Sequence, residues 1–234
     1  MENSKSKLKH LLPPFYELKH LSASIDIKKL KEAYYLVKDS SVSVYDANNS
    51  LCKFHPKLAE SVYGHFTQIP LTTQAARTES LTQVNEATEE TTSINSFRRN
   101  LKLLSSPEYD EHTFTKETSV SKNSYFNFLK SLFASTPTRS RITILESSKK
   151  IPYHIDYDPS YAVRIIIPII TNKDVKNLFS VRNKEVETYL EEGKAYFLNT
   201  GVPHAVVNDS TESRVALMYS IQGTKDLIDA GLLS

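Results

Sequence analysis

Residues 151–157 read Ile-Pro-Tyr-His-Ile-Asp-Tyr, and the interpretation of the whole chain starts from them. Polar side chains alternate here with apolar or aromatic ones, which is typical of a β-strand. Residues two apart on a strand point to the same face, so His154 and Asp156 are expected to project together while Ile155 and Tyr157 point the other way. One strand end can therefore supply two metal ligands.

A third ligand is predicted fifty residues further on, at His204, which must come from a different strand. Two histidines and one carboxylate form the ligand set of non-haem Fe(II) oxygenases, which occupies one face of the ion and leaves the other open. A structural zinc site would need a fourth ligand, often a cysteine, and Cys52 is the single cysteine of the chain. The sequence therefore predicts a metal centre formed by His154, Asp156 and His204.

Arg214 is the second part of this prediction. Residues 204–208 and 213–221 are two apolar runs separated by a polar turn, and as a hairpin they would bring Arg214 beside His204. An arginine that faces an apolar interior needs an anionic partner, and its planar fork suits a carboxylate. No acidic residue on the neighbouring predicted strands is placed to be that partner, so a dicarboxylate cosubstrate is expected. The alternative is a surface arginine that pairs with Glu212.

The motifs of roughly residues 138–222 resemble the aspartyl/asparaginyl β-hydroxylase-like group of 2-oxoglutarate oxygenases. The spacing of the triad and the arginine is also similar to that of the proline 3-hydroxylases of that group. The motifs that carry the resemblance are His154-Ile-Asp156, Arg164-Ile-Ile-Ile-Pro168, Tyr196-Phe-Leu-Asn199, His204-Ala-Val-Val-Asn208 and Ser213-Arg-Val-Ala-Leu217.

The resemblance implies a role for each matching residue. The triad matches the iron ligands, and Arg214 matches the arginine that holds the distal carboxylate of 2-oxoglutarate. Thr143 matches a hydroxyl residue that assists this arginine, and Arg164 matches an arginine near the proximal carboxylate or the substrate. The implied cofactor set is Fe(II), 2-oxoglutarate as cosubstrate and O2, with 2-oxoglutarate chelating the iron. No catalytic side chain beyond the metal centre is expected.

Departures from the family pattern concern the substrate more than the reaction. Ile166 stands where some members have a histidine two residues after the arginine, and Ser147-Ser148 stands where many have Pro-Gly. The implied reaction is hydroxylation of an amino acid, free or within a peptide, with release of succinate and CO2. Two alternatives stay open: a non-catalytic cupin-like protein that binds or senses a metal, and a hydrolase that uses Zn2+ in the same triad.

Several of these residues also have a purely structural interpretation. His204 could cap a turn at a strand end, and Arg164 could pair with Asp156 or Asp158. Thr143 could be no more than a good strand former, since threonine is common in strands.

The pattern of apolar residues predicts a mainly β fold with flanking helices. From residue 141 the period is two, and short runs separated by polar turns favour a double-stranded β-helix, which is a cupin-like jelly roll. Helical periodicity predicts helices at 26–38 and 122–134, and a closing helix is expected at 224–231. The predicted strands are 141–146, 151–156, 162–170, 178–182, 185–190, 194–199, 203–208 and 213–221.

The 234 residues are expected to form a single dioxygenase domain, 1–234. Within it, 1–137 are predicted to be a helical or irregular support and lid region, and 138–222 the jelly-roll core with the metal site. The polar segment 71–121 is expected to be a loop or lid, or to contain a weak helix at 79–90 instead.

Composition limits the partners. A net charge of +2, from 29 basic and 27 acidic residues, argues against a nucleic-acid or acidic-lipid surface. No apolar run is long enough to span a bilayer, and no signal-peptide core follows the N-terminal charges. A single cysteine fits a reducing compartment. The protein is therefore expected to be cytoplasmic, with a small-molecule or peptidyl amino-acid substrate and with no nucleic-acid or membrane partner; the sequence indicates no oligomeric state.

Overall fold

The computed structural model describes residues 8–43, 66–73, 111–182 and 184–234. The α-helices of these residues are α1 (Leu8–Leu11), α2 (Lys19–Ser22), α3 (Ile27–Val37), α4 (Ser124–Ser131) and α5 (Lys225–Asp229). Short 3-10 helices lie at Lys38–Ser40, Glu111–Thr113 and Ser119–Lys122. The strands are β1 (Phe15–Glu17), β2 (Val42–Ser43), β3 (Phe66–Pro70), β4 (Thr72–Thr73), β5 (Lys116–Glu117), β6 (Pro137–Leu145), β7 (Lys149–His154), β8 (Val163–Ile170), β9 (Val175–Val181), β10 (Lys184–Thr188), β11 (Tyr196–Leu198), β12 (His204–Asn208) and β13 (Arg214–Ile221).

Two antiparallel sheets form the body of the fold. The larger has the strand order β1-β11-β8-β13-β6-β3-β2 and the smaller the order β10-β9-β12-β7. The eight strands β6 to β13 divide equally, with β6, β8, β11 and β13 in the first sheet and the other four in the second. A chain that passes between two four-stranded antiparallel sheets in this way forms a jelly roll. The predicted fold class, a double-stranded β-helix, is confirmed.

The eight strands predicted from residue 141 onward are all present, with moderate shifts in their bounds. The first strand begins earlier than predicted, because the pairing of β6 with β13 continues to Pro137, whereas its pairing with β3 ends at Arg141. The predicted helices at 26–38 and 122–134 are confirmed as α3 and α4, and the closing helix as α5.

One expected pairing is wrong, since β12 and β13 do not form a hairpin. β12 pairs with β7 and β9 in the smaller sheet, whereas β13 pairs with β6 and β8 in the larger one. The residues between them carry the chain from one sheet to the other. Asn208 stabilises this crossing, because its Nδ2 atom lies 2.8–3.1 Å from the carbonyl oxygens of Leu145, Glu146 and Glu212.

The main hydrophobic core lies between the larger sheet and helices α3 and α4. Leu30, Phe126 and Leu129 of the helices are fully buried together with Ile142 and Leu217 of the sheet. Each such side chain contributes about 1.5–3 kcal/mol through the burial of apolar surface. Because side chains alternate along a strand, the residues between these apolar positions turn to the opposite face, which is the inside of the jelly roll.

The N-terminal residues of the described chain lie against this body. β1 extends the larger sheet beside β11, and Asn199 Nδ2 donates to the carbonyl oxygen of Lys9 at 2.8 Å. Gly201 permits this close approach, because a Cβ atom there would come within 2.9 Å of Lys9 Cβ and 3.2 Å of Asp158 Cα. The segment between β11 and β12, which leads to His204, is thus held by residues from the N-terminal part of the chain.

The predicted lid lies only partly within the described residues. The predicted helix at 79–90 falls outside them. Of the rest, β4 and β5 form a short two-stranded sheet, and Glu111, the first residue described after the gap, is fully buried. The division into 1–137 and 138–222 stays a prediction. Within the described ranges, no helix has the length and apolar character needed to cross a bilayer.

Candidate metal centre and its arginine pockets

The three predicted metal ligands lie together at one end of the smaller sheet. His154 ends β7 and His204 begins β12, and the two are register partners in this antiparallel pair, with ring centroids 4.2 Å apart. Asp156 Oδ1 lies 3.7 Å from His154 Nε2. One potential ligand atom from each residue lies within 4.8 Å of the other two, a grouping that no other His, Cys, Asp or Glu side chains of the described chain reproduce.

Asp156 reaches this position by a different route from the one expected. β7 ends at His154, so the aspartate is not on the strand and strand alternation does not orient it. Its backbone N–H donates to the carbonyl oxygen of Thr200 at 2.9 Å, which holds the turn after β7 against the loop before β12. The two ligands therefore converge through this turn, which the sequence pattern did not predict.

Both imidazoles are oriented by their own backbone. His154 Nδ1 lies 2.8 Å from the carbonyl oxygen of Pro152, and His204 Nδ1 lies 3.0 Å from that of Val202. A carbonyl oxygen can only accept, so Nδ1 carries the proton in both rings and each Nε2 lone pair is left for a metal.

The electrostatics of the triad also suit a divalent cation. Burial, together with the neighbouring His154, lowers the pKa of His204 to about 4, so this imidazole is neutral near pH 7. Burial alone would raise the pKa of Asp156, but His154 and Arg164 outweigh it and hold this pKa well below its ordinary value. Two imidazoles with free Nε2 atoms and one carboxylate form an oxygen- and nitrogen-donor set that suits Fe(II).

Arg214 is buried, with 4% of its surface exposed, and makes no ion pair with any carboxylate of the described chain. Its Nη1 atom donates to Thr143 Oγ1 at 3.2 Å, so the structure brings these two predicted residues together. Burial lowers the pKa of Arg214 to about 10, which still leaves the guanidinium protonated near neutral pH. The alternative pairing with Glu212 is wrong. A buried guanidinium that meets only a hydroxyl is suited to bind an anionic ligand.

Arg164 has a different environment, because it meets two carboxylates. Its Nη2 atom lies 3.1 and 3.3 Å from the two oxygens of Glu111 and 3.6 Å from Asp156 Oδ2. The alternative pairing with Asp158 is therefore not what the structure shows, whereas the pairing with Asp156 is present. Arg164 connects a metal ligand to a glutamate 53 residues away along the chain.

No pattern in the sequence predicted the group of charges around Arg164. Glu111 also pairs with Arg139 and accepts a hydrogen bond from Ser220, and Arg141 lies next to them. We refer to Arg139, Arg141, Arg164, Glu111 and Ser220 as the arginine cluster. Burial would raise the pKa of Glu111, but the three arginines lower it to about 2. Arg141 and Arg139 lie two and four residues before Thr143 on β6, so the period of two could have indicated that they share its face. No sequence pattern indicated that Glu111 lies beside them.

Residues 123–223 match the family model described as aspartyl/asparaginyl beta-hydroxylase. This range runs from the residue before α4 to just beyond β13 and contains all eight jelly-roll strands. The jelly roll is therefore similar in sequence to the aspartyl/asparaginyl beta-hydroxylase family. The resemblance found in the sequence is thereby confirmed, and with it the predicted enzyme class, a 2-oxoglutarate-dependent dioxygenase. Fe(II), 2-oxoglutarate and O2, the cofactor set predicted for that class, fit the triad and the pocket of Arg214 and Thr143.

Solved structures that resemble this chain do so at low sequence identity. A 2OG-Fe(II) oxygenase family oxidoreductase from Burkholderia pseudomallei is 14% identical, with a TM-score of 0.39 over 81% of this chain and 88% of that one. A cupin domain from Bordetella pertussis Tohama I is 18% identical, with a TM-score of 0.29 over 38% and 94%. HygX from Streptomyces hygroscopicus, solved with nickel, 2-oxoglutarate and hygromycin B, is 11% identical, with a TM-score of 0.30 over 38% and 56%. No curated protein matches the chain significantly.

Proposed function

We propose that the protein hydroxylates an unactivated C–H bond of an amino acid, free or within a peptide, in a reaction that uses Fe(II), 2-oxoglutarate and O2. The observation that carries the proposal is the presence, in one jelly roll, of a His/Asp/His group and of a buried arginine that lacks a carboxylate partner in the described chain. A zinc hydrolase or a metal-binding cupin would use the triad, but would leave Arg214 unexplained.

His154, Asp156 and His204 would hold the iron, each through an atom that the surrounding backbone or charges already keep deprotonated. Arg214 would hold the distal carboxylate of 2-oxoglutarate through two parallel hydrogen bonds, because its guanidinium is a planar fork. When bound, the metal and the cosubstrate supply the oxidising chemistry, in which 2-oxoglutarate and O2 are converted to succinate, CO2 and the hydroxyl group of the product.

The protein's own contribution is to orient these partners and exclude water. Thr143 Oγ1 accepts from Arg214 and itself lies 3.2 Å from the carbonyl oxygen of Ala216, so the hydroxyl fixes the guanidinium against the sheet. Ile166, Phe179 and Ala216 belong to an apolar interior cluster, in which the ring of Phe179 lies 6.3 Å from that of His204. A cytoplasmic location stays part of the prediction.

The test is an anaerobic titration of Fe(II) into the full chain in the presence of 2-oxoglutarate, followed by the visible charge-transfer band of the chelate. Admission of O2 and an assay for succinate then measure turnover. A band and slow succinate release are the expected results. Tight Zn2+ binding with neither band nor succinate would instead support the hydrolase or the binding protein.

Variants of the ligands test the triad itself. His204→Ala and Asp156→Ala are expected to abolish iron binding while the protein stays folded by circular dichroism. Retention of stoichiometric Fe(II) by either variant would exclude the assigned residue from the metal site. His112→Ala, which changes a histidine outside the triad, is the matched control and is expected to retain the metal.

A further inference from the structure

The arginine cluster contains more positive than negative charge. Three arginines face Glu111, which pairs with Arg139 and Arg164. The only other carboxylate close to the cluster within the described ranges is Asp156, which the proposed function assigns to the metal. One guanidinium is thus left without an anion, in a region where at most 5% of each arginine is exposed.

Arg141 is that guanidinium. Its Nη1 atom donates to the carbonyl oxygen of Arg139 at 2.9 Å, but its buried Nε atom has no hydrogen-bond partner. Among the described residues no carboxylate lies within 4.0 Å of it. A second buried donor of the cluster, Nη1 of Arg164, is also without a partner. Native proteins rarely leave such donors unsatisfied, and the exceptions often mark a ligand site.

The position of Arg141 places this free charge inside the jelly roll. It lies two residues before Thr143 on β6, so both side chains project from the same face. Across the sheet it is the register partner of Met218. Burial, reinforced by Arg139 and Arg164, lowers the pKa of Arg141 well below its ordinary value. Because arginine does not give up its proton in proteins, an anionic ligand is the remaining means of satisfying it.

We propose that Arg141, with the free Nη1 donor of Arg164, binds a carboxylate group of the primary substrate. This inference rests on the proposed function and adds a substrate class to it: the amino acid that is hydroxylated presents a carboxylate beside the metal. Glu111 has a positioning role, because it holds Arg139 and Arg164 and leaves Arg141 unpaired.

The two carboxylates of 2-oxoglutarate have other partners in the proposed function. The distal one is assigned to Arg214, and the proximal one to the iron. Arg141 is the register partner of Met218, which lies four residues from Arg214 along β13, or about 14 Å on an extended strand. Because both carboxylates of 2-oxoglutarate are assigned to other partners, the charge of Arg141 is left for a second molecule.

The experiment compares a pool of the twenty free L-amino acids with a pool of their carboxamides, at equal concentration, on the full chain. Two quantities are measured: the shift in melting temperature of the metal-free protein, and the rate of succinate release with Fe(II) and 2-oxoglutarate. For the unmodified protein, the free acids are expected to raise both the melting temperature and the rate of succinate release. The carboxamides are expected to act at least tenfold more weakly.

Arg141→Met is the test variant, and Arg182→Met, at an exposed arginine, is its matched control. Arg141→Met should need more than tenfold higher concentrations of the free acids for the same shift in melting temperature. Its half-saturating concentration of 2-oxoglutarate should change by a smaller factor. Its melting temperature without ligand should rise, because an unpaired buried charge is removed. The control should respond as the natural sequence does.

Three outcomes would overturn the inference: equal responses to acids and carboxamides, an unchanged response in Arg141→Met, or a larger effect of this variant on 2-oxoglutarate than on the free acids. The absence of any response to the free acids, with succinate release intact, would also overturn it. Failure of the proposed function is distinguishable, because succinate release would then be absent while the melting shift of the metal-free protein still reports carboxylate binding.

Discussion

Arg214 and the arginine cluster occupy different parts of the strand pair β6 and β13, and their guanidinium groups have different partners. Arg214 pairs with Leu145 in the register of β13 and β6, whereas Ser220 of the cluster pairs with Thr138. Within the described part of the chain, Arg214 donates only to the hydroxyl of Thr143. The cluster has its own carboxylate in Glu111, which pairs with two of its three arginines. A buried arginine with an internal carboxylate supports the structure, whereas one without it is available to a ligand.

The largest effect is expected from removing the carboxylate of the cluster. Glu111→Gln removes the carboxylate that pairs with both Arg139 and Arg164, which should cost about 3–5 kcal/mol of unfolding free energy. For a chain of this size, this lowers the melting temperature by about 6–20 °C. Glu117→Gln, which breaks the exposed pair with Lys130, is the control and should cost at most about 1 kcal/mol. Similar losses of unfolding free energy in the two variants would show that Glu111 stabilises the fold no more than an exposed ion pair does.

Arg214→Met should have the opposite profile, with a large effect on the ligand and little on the fold. Loss of a desolvated charge pair costs about 2–5 kcal/mol, so the affinity for 2-oxoglutarate should fall on the order of thirtyfold to several thousandfold. The melting temperature without ligand should not fall, since no internal ion pair is broken. Arg214→Lys should restore binding only in part, because the planar fork is lost. A half-saturating 2-oxoglutarate concentration within about threefold of the natural value would show that Arg214 has another role.

Glu111 should also make the stability of the protein depend on pH. Its pKa is about 2 in the folded protein, against an ordinary value of 4.5. The depressed pKa stabilises the fold above pH 4.5, and this contribution, about 3 kcal/mol, is lost as the pH falls from 4.5 through 2. Urea unfolding at several pH values measures it. The difference in stability between the natural sequence and Glu111→Gln should shrink over this range; a difference independent of pH would mean that the carboxyl group is not ionised.

The smallest effect is expected at the hydroxyl that assists Arg214. Thr143→Val keeps the shape of the side chain but removes the acceptor that lies 3.2 Å from Arg214 Nη1. A hydrogen bond of this kind contributes about 1 kcal/mol, so the affinity for 2-oxoglutarate should fall roughly fivefold. Isothermal titration of the anaerobic iron complex measures this change. The control is Thr138→Val, which changes a threonine of the same strand β6 at the position that pairs with Ser220. It should leave this affinity unchanged.

Much of the candidate site could be predicted because its residues occupy regular positions in strands. Thr143, Arg164 and Arg214 lie on predicted strands, where the period of two indicates which residues share a face but not which face is inside. The absence of a nearby acidic residue already predicted that Arg214 awaits a ligand. The route of Asp156 to the metal could not be predicted, because the strand ends at His154 and a backbone hydrogen bond to Thr200 sets the turn.

The sequence by itself determined the eight strands and the candidate triad, because these depend on short-range periodicity and on the chemistry of single side chains. Tertiary structure alone decided that β12 and β13 separate into different sheets and that Glu111 neutralises the arginines. Glu111 is 28, 53 and 109 residues away from Arg139, Arg164 and Ser220. Charges so distant along the chain meet only when the sheets assemble, so no local pattern could indicate which arginine would stay unpaired.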